Sequence, residues 1–141
     1  MIDGGWEEDE DYVRGVLKSL GGKVDAWLLT HPHPDHIGAF VRIWQDPDDI
    51  RIESVYTVEM ASPEECLEVA PWDTVEEYKA FLSLDLPDLN YVHTGDQLTL
   101  CGLPVEIFRR RNITEEQIRH SFPPASTRVP GQQNGVGFLL C

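Results

Sequence analysis

Basic residues are scarce in this chain: 11 Lys+Arg stand against 25 Asp+Glu in 141 residues, a formal net charge of −14 with histidine neutral. Such a surface repels phosphate backbones, which argues against unassisted nucleic-acid binding unless a metal or a local basic patch reverses the sign. The one basic cluster is Arg109-Arg110-Arg111. Three arginines at a strand end read first as solvated side chains, with capture of a substrate phosphate as the alternative. Cysteine is sparse too. Cys66, Cys101 and Cys141 cannot complete a paired framework and none has CxxC spacing, so reduced, mostly buried thiols are expected rather than a zinc knuckle or redox pair. Long apolar runs are missing: no window approaches the ~18 residues of a membrane span, and residues 1–7 have neither the basic start nor the apolar core of a signal peptide. The expectation is a soluble, cytoplasmic protein without membrane contact. Gly4-Gly5 and Gly21-Gly22 lack the context of a nucleotide-binding loop. With no repeats, low-complexity tracts or long linker, residues 1–141 read as one globular domain or part of one.

Hydrophobic spacing organises what is present. An acidic segment, residues 6–11, runs into Tyr12, Val13, Val16, Leu17 and Leu20, one stripe of a helix that Gly21-Gly22 stops. Acidic residues in the first turn and Lys18 in the last suit the helix dipole. Residues 24–30 form a nearly continuous apolar run, as expected of a strand covered on both faces. Ile37, Phe40, Val41 and Trp44 predict a helix ended by Asp46-Pro47-Asp48, and residues 52–58 a second strand. Pro71-Trp72-Asp73-Thr74 supplies capping residues for a third helix marked by Val75, Tyr78, Phe81 and Leu82. Short strands are expected over 89–93, 97–100 and 104–108, the last two as a hairpin around Cys101-Gly102-Leu103. A short helix over 115–120, a Pro/Gly loop over 123–133 and an apolar strand over 135–141 complete the reading.

The chemistry concentrates in Thr30-His31-Pro32-His33-Pro34-Asp35-His36, an HxHxDH pattern between a buried strand and a helix. A core histidine explains one imidazole, not three. Pro32 and Pro34 hold the backbone extended, so His31 and His33, two apart, can project to one side. Asp35 and His36 then start the helix and can face a second point. One all-imidazole and one mixed carboxylate–imidazole half-site suit borderline divalent ions such as zinc, with manganese or iron as alternatives. Two such ions about 3.5–4 Å apart can share a hydroxide, lower its pKa and polarise the bond it attacks.

The segment Thr30-His31-Pro32-His33-Pro34-Asp35-His36-Ile37-Gly38 resembles the signature of the metallo-β-lactamase-fold hydrolases. Ile2-Asp3-Gly4-Gly5 is similar to that family's strand-end Asp-Gly-Gly, and residues 24–30 to its strand leading into the ligand loop. Residues 95–107 resemble its mid-domain hairpin, and 134–140 the strand entering its second half, most like the branch with the hydrolase domain of competence-type DNA-uptake proteins. The resemblance implies an α/β (α+β) fold, an αββα sandwich of which this chain supplies the N-terminal half. It implies a metal-dependent hydrolase whose metal-bound hydroxide attacks an ester-like, phosphodiester or amide bond in a small-molecule or phosphodiester substrate. By position, His31 and His33 would hold a first ion, Asp35 and His36 a second, one or two zinc ions in all. Asp35 would also orient or deprotonate the attacking water, and Asp3 would support the ligand loop through hydrogen bonds.

Against that family the chain lacks the later bridging Asp and His ligands, which leaves two protein ligands per ion where a catalytic zinc typically has three. The chain is therefore expected to be cut from a longer design at both ends. His93-Thr94-Gly95-Asp96 mimics the later Gly-Asp bridge, but its place before the hairpin puts Asp96 in a turn. His120 reads as a surface or capping histidine. A competing expectation is a non-catalytic metal-binding or assembly module, completed by a partner chain or a second copy through the unpaired edge of strand 135–141. A purely structural HPHPDH turn, capped by its own hydrogen bonds, is the third.

Overall fold

A computed structural model describes residues 1–107 of the chain. A 3-10 turn, Glu7–Asp9, leads into helix α1, Glu10–Ser19. Its stripe is narrower than the spacing predicts: Val13 and Leu17 are buried, whereas Tyr12 and Leu20 face solvent. Glu10 and Asp11 open the helix and Lys18 closes it, as the dipole favours. Gly21 and Gly22, both at positive φ, turn the chain into strand β1, Lys23–Val24.

The run over 24–30 is broken. The backbone leaves the extended ladder at Asp25-Ala26 and resumes as β2, Trp27–Leu29. The next segment breaks in step, into β3, Arg51–Ile52, and β4, Val55–Thr57. β1 pairs with β3 and β2 with β4, both parallel, so a single bend passes through the two paired strands. Between them runs helix α2, Pro34–Gln45, the crossover that a parallel pair requires.

An additional helix follows. Ser62 accepts from the Glu65 amide while the Glu65 carboxylate accepts from the Ser62 amide, and this capping box starts α3, Pro63–Val69. Helix α4, Glu76–Leu82, and β5, Leu89–Tyr91, complete a three-stranded parallel sheet in the order β2-β4-β5. Strands β6, Gln97–Leu100, and β7, Leu103–Glu106, form the expected hairpin, with Cys101 and Gly102 at positive φ in its turn. Cys101 is exposed and Cys66 half-buried, which corrects the expectation of mostly buried thiols: a two-residue turn has no interior to offer. The expected features over 108–141, including Arg109-Arg110-Arg111, His120, Cys141 and the strand 135–141, lie outside the described residues.

The described residues thus give a mixed α/β arrangement, consistent with part of a metallo-β-lactamase-like domain. Its core lies between sheet and helices. Trp27 and Leu29 of β2 meet Phe40, Ile37 and Ile43 of α2 and Phe81 of α4, with Trp27 and Phe40 in edge contact at 5.1 Å. Each such fully buried side chain contributes about 2–3 kcal/mol by leaving water. Leu28, on the opposite face, is only half-buried, so the strand is not covered equally on both sides. It lines an apolar groove with Ile2, Tyr56, Val92 and Val105.

One close approach seats α2. A Cβ on Gly38 would lie 2.5 Å from the Glu7 nitrogen and 2.8 Å from the Trp6 carbonyl carbon, both backbone atoms. Gly38→Ala is expected to cost about 2 kcal/mol, a fall in Tm of roughly 5–15 °C. Gly15→Ala, exposed in mid-helix with nothing within 4 Å of the new methyl, should instead be neutral or stabilising. Thermal melts of the two variants check the contrast.

Candidate metal centre

All residues of the HxHxDH segment sit at one edge of the sheet. Because β2, β4 and β5 are parallel, their carboxyl ends share that edge, where ligand sites of open α/β sheets form. Thr30 and His31 leave β2 there. His33 remains extended, and Pro34 takes the first position of α2, where a missing N–H leaves no hydrogen bond unmade. Asp35 and His36 therefore fall in the first turn of a helix whose later residues are locked in the core.

Asp3 ties this loop down. Its backbone amide donates to the Leu28 carbonyl at 2.8 Å, placing it beside the end of β2. One carboxylate oxygen accepts from the Thr30 amide at 2.8 Å; the other lies 2.8 Å from the Thr30 hydroxyl and 2.7 Å from His36 Nδ1. Gly4 donates to the His36 carbonyl at 2.7 Å, and a Cβ there would meet the Phe40 amide nitrogen at 2.9 Å.

These contacts set the imidazole tautomers. An ionised carboxylate only accepts, so His36 Nδ1 carries the proton and Nε2 keeps its lone pair. Thr30 has one hydroxyl proton, and the short contact to Asp3 requires it there. Its oxygen, 3.1 Å from His31 Nδ1, then accepts from that nitrogen and leaves His31 Nε2 with a lone pair as well. Each ring thus offers one nitrogen to an ion while the other is held, the usual arrangement of metal-binding histidines.

His31, Asp35 and His36 converge: each offers a ligand atom, and the three atoms lie within 4.8 Å of one another. The Asp35 carboxylate approaches His36 Nε2 to 3.4 Å, and the rings of His31 and His36 are 3.6 Å apart. Two imidazole nitrogens and one carboxylate oxygen make a donor set suited to a borderline divalent ion. His33 stands at the rim, its ring 4.7 Å from that of His31 but its Nε2 turned to Asp73, 3.2 Å away. The geometry thus groups His31 with Asp35 and His36 rather than with His33 alone. Asp96 sits in the turn that its position implied: its side chain accepts from the His93 amide at 2.8 Å.

His31 is 7% exposed. Burial, with the nearby His36 and His33 adding repulsion, pushes its pKa down from 6.5 to about 4, so the ring is neutral at physiological pH, the form that a metal ion would require. Two partners are not anticipated from the sequence: Thr30, and Asp73 as the neighbour of His33. Thr30 was recognisable as the residue entering the motif; Asp73 lies 40 positions from His33 and no local spacing marks it. At the same edge, β4 and β5 end in a cavity of about 490 Å³ lined by Thr57, Val58, Glu59, Met60, Tyr78, Phe81, Leu82 and Tyr91.

The first 65 residues match the metallo-beta-lactamase superfamily. That stretch holds Asp3, the whole ligand loop and α2, and it ends in α3, before Asp73. Proteins of this superfamily bind metal ions, in keeping with the donor group at the sheet edge. No curated protein and no solved structure matches the chain.

The depressed His31 pKa predicts a pH effect on the metal-stripped chain. Its folded value lies below its unfolded one, so stability is full above about pH 6.5 and falls as pH drops toward 4, where the unfolded chain takes up the extra proton. The loss should be about 2 kcal/mol after allowance for solvent near the ring. Chemical denaturation across that range, with His31→Gln as a comparison lacking the slope, checks it.

Proposed function

We propose that this chain is a metal-dependent hydrolase of the metallo-β-lactamase type, acting on an ester-like, phosphodiester or amide bond. The observation that carries the proposal is the convergence of His31, Asp35 and His36 around one point on an otherwise well-packed loop. The match over residues 1–65 supports it. Zinc suits the donors best, with manganese or iron as alternatives.

A bound divalent ion would supply Lewis acidity and make water acidic enough to attack at neutral pH. The protein's own groups do the rest. His31 and His36 present Nε2 lone pairs, each fixed from behind by Thr30 or Asp3, so the centre loses little side-chain entropy on loading. Asp35, its side chain 44% exposed, is the acceptor positioned to orient a water and take its proton. The cavity lined by Tyr78, Phe81 and Tyr91 gives an uncharged or aromatic part of a substrate a place along the same edge. The acidic surface disfavours a long polyanion and favours a compact substrate.

A second reading is a metal-binding module without turnover, completed by a partner or a second copy. Its support is that the described residues gather one three-donor group, enough to hold an ion without a second.

Elemental analysis combined with hydrolysis of generic phosphodiester, thioester and lactam substrates separates the two. The hydrolase reading expects retained zinc, loss of metal in His31→Ala, and a fall in turnover of about 100-fold or more in Asp35→Asn. Retained metal with no turnover on any substrate selects the binding module. A chain that holds no metal removes both.

A further inference from the structure

We propose that Asp73 is the positioning residue of His33, a carboxylate from the loop before α4 that fixes the fourth side chain of the metal centre. The inference rests on the metal-centre reading and extends it to a residue beyond the stretch that matches the superfamily.

Asp73 is itself held in place. Its amide donates to the Ala70 carbonyl at 3.0 Å, closing the turn after α3, and one carboxylate oxygen accepts from the Thr74 amide at 2.8 Å. The other oxygen faces His33 Nε2 at 3.2 Å. A carboxylate anchored at one oxygen by its own turn can aim the second without paying the full rotamer entropy of a surface side chain. The carboxylate it faces favours the proton on His33 Nε2, which would leave Nδ1 as the nitrogen with a lone pair.

That choice is the opposite of the one made at His31 and His36, whose Nδ1 atoms are held and whose Nε2 atoms are free. His33 has an extended backbone, and its ring meets that of His31 edge to face at 4.7 Å. With Nε2 turned to Asp73, Nδ1 is the nitrogen that His33 has left to offer an ion held by His31, Asp35 and His36. Without Asp73 the His33 ring, with 41% of its side chain exposed, would sample other rotamers and tautomers.

The test uses the full chain, stripped of metal, with zinc affinity measured by competition against a chromogenic chelator. Asp73→Ala is expected to weaken zinc binding 10–100-fold. Asp73→Asn, whose side-chain oxygen can accept from Nε2–H, should recover most of that loss. In the metal-free chain, imidazole nitrogen–proton spectra of Asp73→Ala should show the His33 signals moved and those of His36 unmoved. Circular dichroism of both variants controls for misfolding, and the Asn variant keeps the test open should Ala unfold the loop. Wild-type affinity in Asp73→Ala overturns the inference and leaves the metal centre standing. Equal losses in Asn and Ala overturn it too, because the charge itself would then be the ligand. A wild-type chain that takes up no zinc, while His31→Ala behaves identically, overturns the metal-centre reading and this inference together.

Discussion

The structure depends on one carboxylate. Asp3 joins three pieces of chain that are distant in sequence: the amino-terminal segment, the end of β2 at Thr30 and the first turn of α2 at His36. It does so from a left-handed backbone at φ 50°, a conformation that Asp tolerates better than most residues because its short side chain can bond locally. Side chain and main chain thus act together. The backbone pairs with β2, and the carboxylate gathers the hydroxyl and imidazole protons that would otherwise choose their own partners. Remove it and both tautomers at the centre lose their cause.

Rigidity reaches the centre from the opposite direction through α2. Ile37, Phe40, Val41 and Ile43 are buried against the sheet and its neighbours, so the helix cannot rotate without opening the core. Asp35 and His36, on its first turn, inherit that immobility. A ligand loop between a buried strand and a buried helix is a short bridge between two fixed ends, and its two prolines remove most remaining freedom. The rim is built differently. His33 and Asp73 are both partly exposed, and Asp73 belongs to a turn between two seven-residue helices rather than to the packed layer.

Much of the centre was legible because its chemistry is local. HxHxDH lies within six residues, the strand before it and the helix after it have clear periods, and an Asp-Gly-Gly at the start suggested the support that Asp3 provides. What escaped was long-range or conformational. The bend through β1–β2 and β3–β4 falls at Asp25-Ala26 and Glu53-Ser54, short interruptions flanked by hydrophobic residues that the alternation of a continuous strand would equally produce. Helix α3 was signalled by Ser62-Pro63-Glu64-Glu65, a capping box with proline at the first turn, but its body carries only a weak apolar stripe. Asp73 looked like a cap and does bond the next amide; that its second oxygen faces a histidine 40 residues earlier is a tertiary fact. Cys101 looked like a small core residue until the turn geometry placed it outside.

Gly38 shows how two kinds of constraint become written in one motif. It touches no donor atom and carries no charge, yet the backbone of Trp6 and Glu7 passes so close that any side chain would collide with it. The segment from His31 to Gly38 therefore mixes candidate ligands with one residue that clearance dictates. A chain that replaced the imidazoles but kept this glycine would preserve the seat of the helix and lose the donor group, so similarity over this stretch is inherently better at reporting shape than at reporting reaction.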